Sequence, residues 1–435
     1  MEQLRLVEID DAEKLKRHIL NQFKQVSFAC HLTSNGYTKD KYGAFDAAYA
    51  WGAEHSLVLS EEKGAFEQLQ LFQQNHPNQW IFGCLSYDLK NDLEQLKSEN
   101  PHWLKSPALV FFIPKYLIIE KNQQFWVSNA VDLNKLIAQE SNTVLSNNAT
   151  KAPKLIPSTS KDLYLQNVQD IKQHIIEGDI YEMNYCVEFT VKPVQANPIH
   201  LFNDLNERGQ APFSCYFNFE NIHLLSVSPE RYLAKRQSKL ISQPIKGTAA
   251  RYKDRSEDNA AANKLFRSEK DRAENVMIVD LVRNDLARVS ETGTIQVEEL
   301  FGIYPFKTVH QMISTVSGQL KATHTGLDAI KASFPMGSMT GAPKHRSMML
   351  IDKYENRKRG FYSGAIGYFT PQGDFDFNVV IRTLIVDQEK EQASFSVGGA
   401  IVYDSVPELE YEECLIKARA LLEALGLPAN LEGES

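Results

Sequence analysis

Cysteine is scarce in this chain and never paired. The five residues (Cys30, Cys84, Cys186, Cys215 and Cys414) are odd in number and form no Cys-x-x-Cys. That argues against a disulfide framework or a cysteine-based zinc site and points to a reducing, cytoplasmic setting. No apolar run approaches the roughly 20 residues that cross a bilayer. The start, Met1-Glu2-Gln3-Leu4-Arg5-Leu6-Val7-Glu8, has no signal-peptide core, so neither a membrane span nor export is expected. In that setting the Asn148-Ala149-Thr150 sequon is chance. Positive charge is not in excess either: 47 Lys and Arg against 55 Asp and Glu leave a net charge of −8, interspersed along the chain. A nucleic-acid or anionic-membrane partner needs a concentrated basic face. A small anionic substrate does not, because one or two Arg or Lys residues can hold it. A Walker phosphate loop is missing too: Lys344 follows Gly341-Ala342-Pro343, but no Ser or Thr follows it. Internal repeats are also lacking.

The 435 residues, with average apolar content, describe a globular chain of two domains or one large fused unit. The boundary is expected in the Ser-, Asn-, Thr- and Pro-rich stretch from Gln139 to Lys161, read as a loop between a region 1–150 and a domain 155–428. The first region carries strand-like runs at 56–60, 80–87, 109–113 and 116–119 and all four tryptophans (Trp51, Trp80, Trp103, Trp126), which suit a core. A helix follows, capped by Ser158, Thr159 or Ser160, with Leu163, Val168, Ile171 and Ile175 on its apolar face. Strands are then expected at 181–191, 214–219, 224–227, 239–241, 295–297, 309–316, 364–369, 375–386 and 393–397, and helices at 259–288, 325–332, 343–355 and 408–425. Strands with inserted helices but no regular βαβ alternation predict an α+β fold of large antiparallel sheets with helices outside.

Two acidic clusters fall on expected helices: Glu269-Lys270-Asp271-Arg272-Ala273-Glu274-Asn275, and Glu408-Leu409-Glu410-Tyr411-Glu412-Glu413 followed by Lys417. Glu410, Glu413 and Lys417 share one helix face, with Leu409, Cys414, Ala418 and 421–425 left for packing. Glutamates from two helices can supply part of a magnesium shell, but the spacing alone suits a solvated charged face better. Glycine-rich segments at 337–344, 360–367 and 398–402 can bring backbone close to a ligand or form plain tight turns. Lys246 lies in Pro244-Ile245-Lys246-Gly247-Thr248. At pH 7 only about 1 in 2,500 free lysines is the nucleophilic amine, a handicap of about 4.6 kcal/mol. Burial or a nearby cation lowers that handicap, and a neighbouring carboxylate raises it.

These segments gain meaning in order. Ser-Pro-Glu230, Pro-Ile-Lys246-Gly-Thr248, the Glu274 segment, Val-His310, Met-Thr340-Gly-Ala-Pro-Lys344, Tyr362-Ser-Gly-Ala, Ile-Arg382-Thr, Gly-Gly399-Ala-Ile-Val402 and Glu410-Tyr-Glu-Glu413 succeed one another as in the chorismate-binding domain shared by anthranilate, isochorismate, salicylate and aminodeoxychorismate synthases. The resemblance covers roughly residues 160 to 425 and implies an anthranilate synthase component I-like sandwich. It also implies roles. Glu274 and Glu413, with Glu410 beside them, would bind Mg²⁺ against the ring carboxylate of chorismate. Glu230 would protonate the departing hydroxyl. Thr248, Tyr362, Arg382, Lys417 and the backbone at Gly399 would grip the carboxylates, and His310 and Thr340 would line the substrate.

Two positions bear on which reaction is expected. Family members that add water carry lysine where this chain has Glu182; ammonia users carry glutamine there, so Glu182 departs from both patterns. A proton taken from incoming ammonium is one use for it. Lys246 occupies a slot that is alanine in anthranilate synthases and lysine in members that aminate para to the ring carboxylate. Para amination through a covalent lysine adduct, on the way to 4-aminobenzoate and folate, is therefore the expected reaction, with ortho amination to anthranilate as the alternative. The Leu-Leu-Glu-Ser motif of the tryptophan-inhibited members is missing; Phe45-Asp46-Ala47-Ala48 stands near its place. No Gly-x-Cys-x-Gly glutaminase turn occurs, so the resemblance implies ammonia from a separate glutamine amidotransferase subunit.

Overall fold

A computed structural model describes residues 4–104, 106–138 and 152–428. Strand pairing spreads in two branches from one long antiparallel pair, Ala47–Leu59 with Leu109–Lys121. Its register slips between Ala53, opposite Pro114, and His55, where proline offers no ladder donor. From its Ala47 end the first layer continues through Phe28–Thr33, Phe213–Phe219, Ile222–Ser228, Thr383–Asp387, Gln392–Ile401 and Glu182–Lys192. From its Leu109 end the second layer runs through Ile81–Leu85, Ala365–Phe369, Phe375–Asn378, Arg231–Arg236 and Lys239–Gln243. It ends on Val309–Gln319, which also pairs with Ile245–Ala250 and Gln296–Pro305. All these pairings are antiparallel.

Alternating residues of both layers fill the space between them, among them Ala48, Phe82, Phe112, Phe217, Leu224 and Ile366. Each fully buried Phe or Leu contributes about 1.5–3 kcal/mol of transfer free energy. Helices Ala12–Phe23, Lys161–Ile176, Pro198–Gly209 and Pro407–Ala424 bury their apolar faces on the first layer. Ala65–Asn75, Glu269–Ala287 and Gly326–Ser333 do so on the second. The expected α+β sandwich with helices outside is what forms. The N-terminal third is hydrogen-bonded into both layers, through Thr33 opposite Ser214 and Gly83 opposite Gly367. Among the described residues, the sheet thus runs on from the first expected region into the second. Within the expected loop, Lys154–Pro157 is a strand on Glu182–Lys192, while residues 139–151, sequon included, lie outside the described residues.

Several expectations need correction. The helix expected at 259–288 is two, Arg255–Arg267 and Glu269–Ala287, broken at Ser268, whose hydroxyl accepts from the Asp271 amide and caps the second. The strand expected at 375–386 divides at 379–382, where Arg382 takes φ +51°. Leu163 and Leu409 are exposed; Tyr164 and Glu410 beside them are the buried residues. The four tryptophans do belong to the core, Trp51 and Trp80 buried and Trp103 and Trp126 packed at its margin.

One buried cation ties the N-terminal third to the second layer. Arg231 donates to Asp40 at 2.9 and 2.6 Å, to Asp376 at 2.9 and 3.0 Å and to Gln243 at 2.5 Å, with its guanidinium 4.7 Å from the centre of the Phe213 ring. Beside it lies a cavity of about 60 Å³ lined by Phe45, Phe213 and Tyr368 among others. Arg231→Ala leaves two buried carboxylates under-compensated, so urea denaturation should show about 3 kcal/mol of lost stability. A midpoint within error of wild type would contradict this role.

Candidate active site

Lys246 owes its position to an irregularity in its strand. Between Ile245 and Thr248, paired with Ile313 and Gln311, one extra residue is inserted, forming a bulge that re-aims a side chain. Gly247 makes it possible: its φ is +86°, and a Cβ there would sit 2.8 Å from Asp271 Oδ1, in the capped first turn of Glu269–Ala287. Lys246 is buried, with Nζ 2.5 Å from Glu182 Oε1. Burial alone would lower the lysine pKa. The charges of Glu182, Glu274 and Glu230 outweigh it and hold the pKa above its ordinary value. Glu182 Oε2 is buried with no hydrogen-bond partner.

The Met-Thr-Gly-Ala-Pro segment supports Glu182 through backbone rather than side chains. Gly341 and Ala342 pair with Met183 and Glu182, and a Cβ on Gly341 would lie 2.2 Å from the Glu182 carbonyl. The Thr340 hydroxyl turns back onto the Met336 and Gly337 carbonyls at 3.3 and 3.2 Å, while its own carbonyl accepts from the Asn184 amide. Lys344 anchors the next helix on buried Asp285 at 2.5 Å.

A second acidic group gathers at Gly399, on the strand that pairs with Glu182–Lys192. A Cβ there would lie 3.3 Å from Glu410 Oε2 and 3.7 Å from Glu413 Oε1. Lys417 Nζ bonds Glu413 at 2.7 Å and the Gly398 carbonyl at 2.7 Å. Lys270, which spacing did not single out, lies 3.9 Å from Glu274; burial raises the Glu410 pKa despite the charges of Lys270 and Lys417, and Lys417, helped by Lys270, outweighs burial to hold Glu413 below its ordinary value. Burial pushes Glu274 up to about 7, with Glu182 raising it further against Lys246 and Lys270. Burial likewise pushes Glu230 to about 7, opposed by the Ser338 hydroxyl and Lys246. Among the described residues, no three of these carboxylates bring ligand oxygens within 4.8 Å of one another; the trio that does, His174, Glu177 and Asp179, lies elsewhere, with Asp179 already on Arg346. The donor set nonetheless suits a hard divalent cation. It offers carboxylate oxygens, and five glutamates (182, 230, 274, 410, 413) face three lysines (246, 270, 417).

The remaining expected residues divide by what they touch. Thr248 Oγ1 donates to Gln311 at 3.1 Å, Tyr362 OH meets Cys186 Sγ at 3.4 Å, and His310 Nε2 is 2.9 Å from Asp258. Among the described residues no carboxylate pairs with Arg382, and burial lowers its pKa, so it is a desolvated guanidinium without a counter-charge among them. Asp258 and Ser338 carry no sequence signal, whereas Lys270 lies within the Glu269-to-Asn275 acidic cluster.

A site that sets a buried lysine among carboxylates, with a guanidinium left free to receive an anion, fits an enzyme acting on a polyanionic small molecule. Residues 29–423 match the sequence profile of the chorismate binding enzymes. Aminodeoxychorismate synthase component 1 of Escherichia coli strain K12 is 32% identical, the alignment covering 91% of this chain and 92% of that protein. The chloroplastic aminodeoxychorismate synthase of Arabidopsis thaliana is 44% identical over 61% of this chain, which spans 29% of its length. Anthranilate synthase component I from Streptococcus pneumoniae has the same fold, with a TM-score of 0.75 at 24% identity over 88% of this chain and 93% of that one. The chain belongs to the chorismate-binding enzyme family.

Glu182→Gln removes the main counter-charge of Lys246, so its pKa should fall and more free amine be present at a given pH. Acylation of Lys246 at pH 8, read by peptide mass spectrometry, should be faster in that variant. Equal rates would contradict the assigned pairing.

Proposed function

We propose that the protein aminates chorismate para to its ring carboxylate, giving 4-amino-4-deoxychorismate, as an aminodeoxychorismate synthase component I. The observation that carries this reading is a buried lysine, Lys246, in hydrogen-bond contact with a carboxylate able to take its proton. The freed Lys246 amine attacks the ring carbon two positions from the hydroxyl-bearing carbon, and the hydroxyl leaves as water with a proton from Glu230. Glu230, raised to about 7, holds that proton near neutrality. Ammonia then bonds to the carbon the hydroxyl left, and Lys246 departs with the proton ammonia gives up. Glu182 Oε2, buried without a partner, remains to accept a hydrogen from incoming ammonium. Arg382, Lys417, Tyr362 and Thr248 are assigned to the substrate, the unpaired Arg382 to a carboxylate because arginine binds carboxylates bidentately.

Glu274 and Glu413, with Glu410 beside them, would hold Mg²⁺, which supplies positive charge against the ring carboxylate. Ammonia would come from a separate glutamine amidotransferase subunit and the product would feed 4-aminobenzoate and folate synthesis. A cytoplasmic setting agrees with five free, buried cysteines and with the fact that no described helix is long and apolar enough to cross a membrane.

With chorismate, Mg²⁺ and ammonium the expected product is 4-amino-4-deoxychorismate; anthranilate with pyruvate would overturn the reading in favour of ortho amination. Because the folded pKa of Glu230 lies above its free value, its acid form is lost as pH rises through about 7. The turnover rate should fall over that range, and a rate still rising well above pH 8 would exclude Glu230 as the acid.

A further inference from the structure

His310 lies on Val309–Gln319 opposite Ala249, one place beyond the Gln311–Thr248 pair and close to the bulge that carries Lys246. Its ring is buried. Nε2 is 2.9 Å from Asp258 Oδ1, and Nδ1 is buried with no hydrogen-bond partner. Asp258 belongs to a different element, the first turn of the Arg255–Arg267 helix, and is itself fixed. Arg251 Nε donates to its two oxygens at 2.8 and 3.0 Å, and the Tyr252 amide donates to Oδ1 at 3.0 Å. Arg251 in turn donates to the Phe306 carbonyl at 2.7 Å, on the far side of the His310 strand turn.

Arg251 and the Tyr252 amide hold the Asp258 carboxyl below the usual range, so it is ionised and only accepts. The hydrogen shared with His310 is therefore on Nε2. A neutral imidazole protonated there has a lone pair on Nδ1.

We infer that Asp258 is a positioning residue that fixes His310 as its Nε2–H tautomer, leaving Nδ1 to accept a donor hydrogen carried by the bound substrates. A carboxylate has no such hydrogen, so His310 does not join Arg382 and Lys417 in gripping one. On the proposed reaction, the available donors are the ring hydroxyl of chorismate and the N–H of ammonia or ammonium. Only the identity of the donor rests on that reading; the dyad does not.

The test uses the full chain labelled with ¹⁵N-histidine, with the His310 signals assigned from His310→Gln. At pH 7.5 and without substrate, Nε2 should resonate as a protonated and Nδ1 as an unprotonated ring nitrogen. Asp258→Asn and Asp258→Ala should move both signals toward tautomer averaging. In the ammonium assay, Asp258→Ala and His310→Gln should each lower kcat/KM by roughly 10²-fold. The double variant should be no worse than the poorer single one, since one residue acts through the other. A raised KM for ammonium with the chorismate KM unmoved identifies nitrogen as the donor, and the reverse identifies the hydroxyl. The inference is overturned by a doubly protonated His310 in the wild type, by ring signals unmoved in folded Asp258→Asn, or by additive losses in the double variant. Should Asp258→Ala fail to fold, the wild-type spectrum and Asp258→Asn still decide. An unexpected product would count against para amination while leaving the ring signals untouched, so the two failures are distinguishable.

Discussion

The contact between Lys246 and Glu182 sets the terms for everything around it. A lysine ammonium and a carboxylate are brought to 2.5 Å where water is excluded, a place that costs several kcal/mol per ion unless the charges answer each other. Each partner needs a backbone device to get there. Lys246 uses a bulge that only glycine at position 247 allows, and Glu182 lies on a strand whose far side is backed by Gly341 at a distance no other residue tolerates. The motifs that flank both residues are therefore largely instructions to the backbone. Their side chains serve as spacers, anchors and caps as often as they serve the chemistry.

The sandwich makes such a contact affordable. Strands of both layers reach the site, Glu182–Lys192 from the first and Ile245–Ala250 from the edge of the second, so neither partner can move without moving a packed sheet. The surplus of carboxylates over lysines has the opposite character. Burial holds Glu274 and Glu230 at about 7, and the excess of negative charge marks the site as one that gains stability when positive charge arrives. Arg382 is the complement, a guanidinium with no carboxylate partner among the described residues. These two imbalances suit a ligand that brings carboxylates together with a cation.

Much of the fold was legible because hydrophobic alternation is local: the strands at 309–316 and 393–397 and the helix at 408–425 lie close to where pattern placed them. Pattern failed where one polar atom decides. Ser268 splits a helix by capping, although Ser268 followed by Asp271 is itself a start signal. Leu409 points out and Glu410 in because the helix turns a carboxylate, rather than its leucine, toward Gly399. Of the site, the motif residues could be named in order, but their partners could not. Lys246 and Glu182 are 64 residues apart, and Asp258, which holds His310, sits in a stretch with no pattern of its own.

Intact mass of the protein mixed with chorismate and Mg²⁺, without ammonium, tests the central claim most directly. The account predicts a species heavier by chorismate less water, mapped to Lys246, absent from Lys246→Ala and discharged when ammonium is added. An adduct on another residue, or para amination by Lys246→Ala at the wild-type rate, would contradict it.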